Sequence, residues 1–113
     1  MHEISIMQGA LDLALQTAKA SAAKEILCLR LRVGAMTGVV PEALQFAFEV
    51  LREGTIAAEA RLEVETVPLS CWCPECQMEF ESTDWRQECP KCGRLSGEMR
   101  CGLELELASV EVN

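Results

Sequence analysis

Cys73-Pro74-Glu75-Cys76 and Cys89-Pro90-Lys91-Cys92-Gly93 are the stretches whose reading decides the fold. They are matching C-P-x-C turns with twelve residues between them. Two residues between thiolates let the backbone turn tightly enough for both sulfurs to meet one ion while amide N–H groups point at them. Proline presets φ inside each turn, and Gly93 can take the positive φ that follows. Paired knuckles of this kind predict a zinc ribbon, joined by a short hairpin around Met78–Phe80. Four thiolates close a tetrahedron around a d¹⁰ ion and leave no position for substrate, so Cys73, Cys76, Cys89 and Cys92 are expected to hold a structural zinc.

Iron is the rival ion, because rubredoxin knuckles also read C-P-x-C-G. Those domains surround their metal with aromatic side chains, which are scarce here, and zinc is preferred on ligand type. The stretch 69–101 contains six of the seven cysteines and both tryptophans, with little hydrophobic periodicity. It cannot easily bury a core of its own and needs a metal as staple.

On either side of this stretch the pattern is that of a sheet. Leu62, Val64 and Thr66 alternate with Glu63 and Glu65 until Pro68 stops the strand. Leu103, Leu105 and Leu107 share one face, whereas Val110 and Val112 have the opposite parity, so a β-bulge near Ala108-Ser109 is expected to keep one side buried. Upstream, Leu27, Leu29, Leu31 and Val33 alternate up to Gly34.

Two helical patterns complete the chain. Pro41 suits a first helical position, Leu44, Ala47, Phe48 and Leu51 form a stripe, and Gly54 can close a helix spanning roughly 41–53. Ile4, Met7, Leu11, Leu15, Ala18 and Ala22 recur at helical spacing, and Ser5-Ile6-Met7-Gln8 fits a capping box that leaves His2 and Glu3 on a short arm ahead of the helix. The order is helix, strand, helix, strand, insert, strand. It predicts an α+β fold with two helices on a three-stranded mixed sheet, residues 1–68 plus 102–113 forming one domain and 69–101 an inserted zinc ribbon.

The chain has 113 residues and carries 10 Lys+Arg against 18 Asp+Glu, a formal charge of −8. A dication on four thiolates adds two further negative charges, so a phosphate backbone is repelled and nucleic acid is not an expected partner. Half of the residues are hydrophobic but only 4% are aromatic, with no tyrosine, so the core must be aliphatic. No apolar run approaches the ~18–20 residues that cross a bilayer, and Met1-His2-Glu3 resembles no signal peptide. A cytoplasmic protein without a membrane partner is expected, and an odd number of cysteines in C-x-x-C pairs points to metal in a reducing compartment.

Three cysteines lie outside the knuckles. Cys28, within a strand pattern, is read as a small buried hydrophobe. Cys71 and Cys101 lie where the insert leaves and rejoins the sheet; they can form a redox pair, exchange into the metal site, or do nothing. His2 is the only histidine. A histidine so close to a terminus is usually solvated or caps a helix. The free amine of Met1, the amide nitrogen of His2 and its imidazole can nevertheless close contiguous chelate rings on one ion, with the Glu3 amide completing the plane. Deprotonated amides are strong-field donors suited to a square-planar Ni(II) or Cu(II).

Met1-His2-Glu3-Ile4-Ser5, Leu31-Arg32-Val33-Gly34, the run from Val40 through Pro41, Glu42, Ala43, Leu44, Gln45, Phe46 and Ala47 to Phe48, and the two knuckles followed by a Glu/Leu-rich end together resemble the hydrogenase maturation nickel chaperone family HypA/HybF. The resemblance spans essentially the whole chain. It implies a nickel-binding α/β domain interrupted by a zinc ribbon, with nickel on His2, the Met1 amine and the backbone amides of His2 and Glu3. It implies zinc on Cys73, Cys76, Cys89 and Cys92. Implied partners are the accessory GTPase HypB and the large subunit of [NiFe]-hydrogenase, with urease and its accessory proteins served by some members. Cys71 and Cys101 are not part of that pattern.

Two other classes compete. A ribbon can be a binding module for protein or nucleic acid, which the charge disfavours for nucleic acid. A hydrolase or redox enzyme would need a Ser/His/Asp or Cys–His set built on His2 alone, so the chain is read as no enzyme.

Overall fold

A computed structural model describes residues 2–82 and 86–113, which divide into two compact units. The first comprises residues 1–32, 39–65 and 106–113, and the second residues 33–38 and 66–105. The six residues after Arg32 thus cluster with the cysteine-rich segment, although no ligand spacing marks them.

In the first unit, helix α1 (Glu3–Ala20) and helix α2 (Pro41–Leu51) pack on one another. The buried stripe of α1 is Met7, Leu11, Ala14 and Ala18, at steps of four, three and four residues. Ile4 is off this stripe, with 62% of its surface exposed. The helix starts earlier than the expected capping box. His2 takes the N-cap position in extended conformation (φ −93°, ψ 126°), and its carbonyl accepts the first helical hydrogen bond from the Ile6 amide at 3.1 Å. Gln8 does not reach back to Ser5; its Nε2 donates forward to Asp12 Oδ1 at 2.8 Å. Glu3 therefore belongs to the helix, where its carboxylate suits the positive end of the dipole. In α2, Pro41 stands in the first turn and Gly54 takes φ +74° just beyond the end, as the pattern predicts.

The sheet contains β1 (Ile26–Gly34), β2 (Arg61–Val67) and β6 (Leu105–Val112) in the order β2-β1-β6. Leu29, Leu31 and Val33 are buried on one face of β1. Arg30 and Arg32 on the other face bridge Glu63 (2.7 Å) and Glu65 (3.5 Å) of β2 in the same sequence direction, so β1 and β2 run parallel. The Gly34 amide donates to the Glu104 carbonyl and the Asn113 amide to the Glu25 carbonyl, which makes β6 antiparallel to β1. The sheet is mixed, as expected.

The expected buried face of β6 is absent: none of its residues is buried, and Leu103 just before it is 63% exposed. Alternation reports which side chains share a face. It does not report whether a layer lies over that face.

The second unit is built on three short strands, β3 (Leu69–Cys73), β4 (Met78–Ser82) and β5 (Glu98–Cys101), in the order β4-β3-β5. Both neighbours are antiparallel to β3. Its buried cluster is Leu69, Cys71, Cys73, Phe80 and Cys89, with Met36, Cys76 and Met99 against it.

Candidate metal centre

The first knuckle is itself the hairpin turn. Cys73 pairs with Met78 in the β3–β4 register, so residues 74–77 make the connection, and Met78–Phe80 lie within β4 and not at a hairpin tip. The turn closes with Gln77 in left-handed conformation (φ +50°), the place that Gly93 takes (φ +73°) in the second knuckle. That knuckle is held by its own backbone. Gly93 N–H donates to the Cys89 carbonyl at 2.8 Å and Cys89 N–H to the Arg94 carbonyl at 2.9 Å.

These turns bring all four predicted sulfurs together. The Sγ atoms of Cys73, Cys76, Cys89 and Cys92 lie within 4.8 Å of one another, with Cys73 and Cys92 at 3.6 Å and Cys76 and Cys89 at 3.9 Å. Sulfurs bound at ~2.3 Å to a tetrahedral zinc lie ~3.8 Å apart, close to the separations of the Cys73–Cys92 and Cys76–Cys89 pairs. Cys73 and Cys89 are buried and Cys92 is exposed, which leaves a path for metal entry.

The thiols are electrostatically unequal. Cys89 is pulled down to about 7, first by backbone N–H donation from Cys92, against the opposing effect of burial, and further by Lys91. Cys76 is pushed up to about 12, first by burial and then by hydrogen bonds with the other cysteines. Cys89 supplies the thiolate at neutral pH, and an incoming cation must displace the proton of Cys76.

Ser96, which no spacing argument singles out, ties the second knuckle to the sheet. Its buried hydroxyl donates to the Trp72 carbonyl at 2.5 Å and accepts from the Glu98 amide at 3.1 Å. A lone serine in a polar stretch carries no sequence signal for such a role.

Cys71 and Cys101 do not meet as a redox pair. The β3–β5 register sets Ser70 opposite Cys101 and Cys71 opposite Met99, with an irregularity between Ser70 and Cys71. Cys101 therefore shares the Ser70 face, whereas Cys71 points into the buried cluster. Burial raises the Cys71 thiol above its ordinary range, which suits an inert core residue. Cys28 is buried in β1, as the small-hydrophobe reading has it.

At the other end of the chain, His2 is exposed and its side chain makes no capping hydrogen bond. Glu3 follows as the first helical residue, whose amide N–H has no partner within the helix geometry. Met1 lies outside the described residues.

Residues 1–112 match the family model described as "Hydrogenase/urease nickel incorporation, metallochaperone, hypA". Among similar proteins, the hydrogenase maturation factor HypA of Picosynechococcus sp. is 46% identical over 112 residues, covering 99% of each chain. That of Chloroflexus aggregans is 41% identical, covering 98% of each. The fold is similar to the solution structure of the nickel metallochaperone HypA from Helicobacter pylori (TM-score 0.65, 23% identity, 99% of this chain and 97% of that one). It is also similar to a second solution structure of a HypA protein (TM-score 0.73, 24% identity, 100% and 97%). The chain belongs to the HypA family of hydrogenase and urease nickel-incorporation metallochaperones.

Proposed function

We propose that this chain carries Ni(II) at its N-terminus and hands it to the maturation machinery of [NiFe]-hydrogenase, while a zinc ion on Cys73, Cys76, Cys89 and Cys92 holds the ribbon. The nickel ligands are the Met1 amine, the backbone nitrogens of His2 and Glu3, and the His2 imidazole, within a domain of residues 1–68 plus 102–113. The observation that carries this reading is the state of His2, an exposed N-cap histidine with no capping bond. The helix does not need its imidazole. Its neighbour Glu3 stands where a backbone N–H has no helical acceptor, so the amide is open to deprotonation at no cost in hydrogen bonds.

Charge supports the same set. A bare dication is unfavourable at a helix N-terminus. Two ionised amides cancel the charge of Ni(II), and the neutral chelate removes that objection. Four planar nitrogens favour nickel over zinc at this end, while four thiolates in a tetrahedron favour zinc at the other. The nickel ligands sit on a terminus that can peel away one donor at a time, which suits release by ligand exchange. Within the family's role, we assign the accessory GTPase HypB as the nickel source, the hydrogenase large subunit as recipient, urease accessory proteins as a second outlet, the cytoplasm as location and no catalytic step of its own.

The test is a nickel titration of tag-free protein beside the same chain with one glycine added before Met1, with zinc measured in both. The extension keeps every side chain and moves the amine out of its chelate. Stoichiometric nickel in the native chain and its loss in the extended one are expected. Equal binding by both sinks the terminal site, and binding by neither leaves a zinc-ribbon interaction module.

A further inference from the structure

The strand β6 is uncovered on more than one side. It ends the order β2-β1-β6, so among the described residues β1 is its one ladder neighbour, and the N–H and C=O groups on its outer edge face away from the sheet. None of its eight residues is buried. Leu105, Leu107, Val110 and Val112 leave apolar surface in water beside Glu106 and Glu111. Native edge strands are commonly guarded by lysine, proline or brevity. This one has eight residues and neither lysine nor proline.

From this combination we propose that β6 is a strand-addition site for an extended segment of another protein, one that alternates apolar residues with lysine or arginine. Main-chain hydrogen bonds to the free edge supply the attachment and alternate side chains supply the choice of partner. Charge decides the occupant. The carboxylates Glu104, Glu106 and Glu111 lie along the strand and its entry, and the whole chain carries −8. Arg32 holds Glu106 only loosely, Nη1 to Oε1 at 3.4 Å in an exposed pair. A second copy is the wrong partner. Two-fold pairing of β6 with itself is antiparallel and lays side by side two strands that each carry Glu106 and Glu111 and no basic residue, on chains of −8 each, so like charge opposes it.

The experiment uses the full chain and a fluorescein-labelled octapeptide alternating lysine and valine, with binding read by anisotropy. Two N-methylated versions of the peptide, one modified at the lysine amides and one at the valine amides, keep all charges and side chains. In a strand pairing only alternate N–H groups face the protein. One version is expected to bind like the parent and the other at least tenfold more weakly. The glutamate–valine peptide is expected not to bind, and the Glu106→Lys/Glu111→Lys protein to lose tenfold or more for the lysine peptide. Equal binding of both methylated forms reduces the effect to charge attraction and overturns the proposal, as does equal binding of the acidic peptide or no binding at all. Sedimentation showing a dimer that these two substitutions alter overturns it in favour of a second copy. No metal enters the readout, so the result is independent of the nickel reading.

Discussion

Gly34 and Gly102 meet backbone to backbone in the second unit. A methyl group on Gly34 would overlap the carbonyl group of Gly102 and lie 2.5 Å from the Leu103 nitrogen. Gly102 in turn takes φ +126°, a conformation that L side chains rarely adopt, with the Leu69 Cα 3.1 Å from where its own Cβ would be. The Met36 amide donates to the Gly102 carbonyl at 2.8 Å and the Ala35 amide to the Val67 carbonyl at 2.8 Å. These contacts gather residues 33–38 into the ribbon's unit. Gly34 has no room for a flexible accommodation, because the atoms nearest its Cβ position are all main chain, and Gly102 is held to glycine by its φ.

Gly34→Ala is accordingly expected to be costly, about 3 kcal/mol or more, since backbone must shift to admit the methyl. Urea unfolding of the zinc-loaded protein measures it. A loss under about 0.5 kcal/mol, the scatter of ordinary surface changes, would show that the contact relaxes freely.

Gly9 is the opposite case. It lies mid-helix in α1, exposed, and a Cβ built there meets nothing within 4 Å. Replacing it by alanine removes backbone freedom from the unfolded chain and is expected to stabilise by about 0.5–1 kcal/mol. A rise of a few degrees in the thermal midpoint checks it, and a fall would mean that the folded chain itself needs a glycine at this position.

The parts of the fold legible in the sequence are those where chemistry demands a fixed spacing. The C-P-x-C pairs located the four sulfurs because a tetrahedral site requires two tight turns, and Pro41 marked the start of α2 by its fixed φ and Gly54 its end by its freedom to take a positive φ. The start of α1 was less legible. Ser5 and Gln8 have the residue types of a capping box, yet an N-cap needs only extended backbone geometry, which His2 supplies without any side-chain bond. The strand β3 escaped notice because its buried positions include Cys73, which the spacing assigned to metal, β5 because none of its four residues is buried to mark a face, and β6 was misjudged because alternation is silent about a missing layer. Ser96 and the Gly34–Gly102 contact are products of tertiary proximity between segments far apart in sequence.

The unequal thiols predict how metal binding by the ribbon depends on pH. With Cys89 at about 7, binding displaces one proton more below neutrality than above it, so the apparent affinity falls more steeply on the acid side. Linkage has the same sign for Cys89 in the metal-free unit. A depressed thiol stabilises above its unfolded value, and that contribution is lost as pH falls through about 7. Cys76, raised to about 12, stabilises below its unfolded value and loses this only as pH rises through about 12, so it plays no part near neutrality. Competition with a chromophoric zinc chelator on both sides of neutrality measures the slopes. One unchanging slope would show that Cys89 is an ordinary thiol.

The opposite orientations of Cys71 and Cys101 predict different reactivities. Cys101 is half-buried on the Ser70 face, whereas Cys71 is fully enclosed and its thiol is raised by burial, which lowers the thiolate fraction that attacks an electrophile. In zinc-loaded native protein a maleimide should modify Cys101 in preference to Cys71, and Cys71 should react only after unfolding. Mild oxidation should leave the two unlinked, because their side chains leave opposite faces of the β3–β5 ladder. Peptide mapping by mass spectrometry reads both results at once. A Cys71–Cys101 disulfide formed without loss of zinc would show that the ladder opens at Gly102 in the folded protein, and would restore the redox role that the register removes.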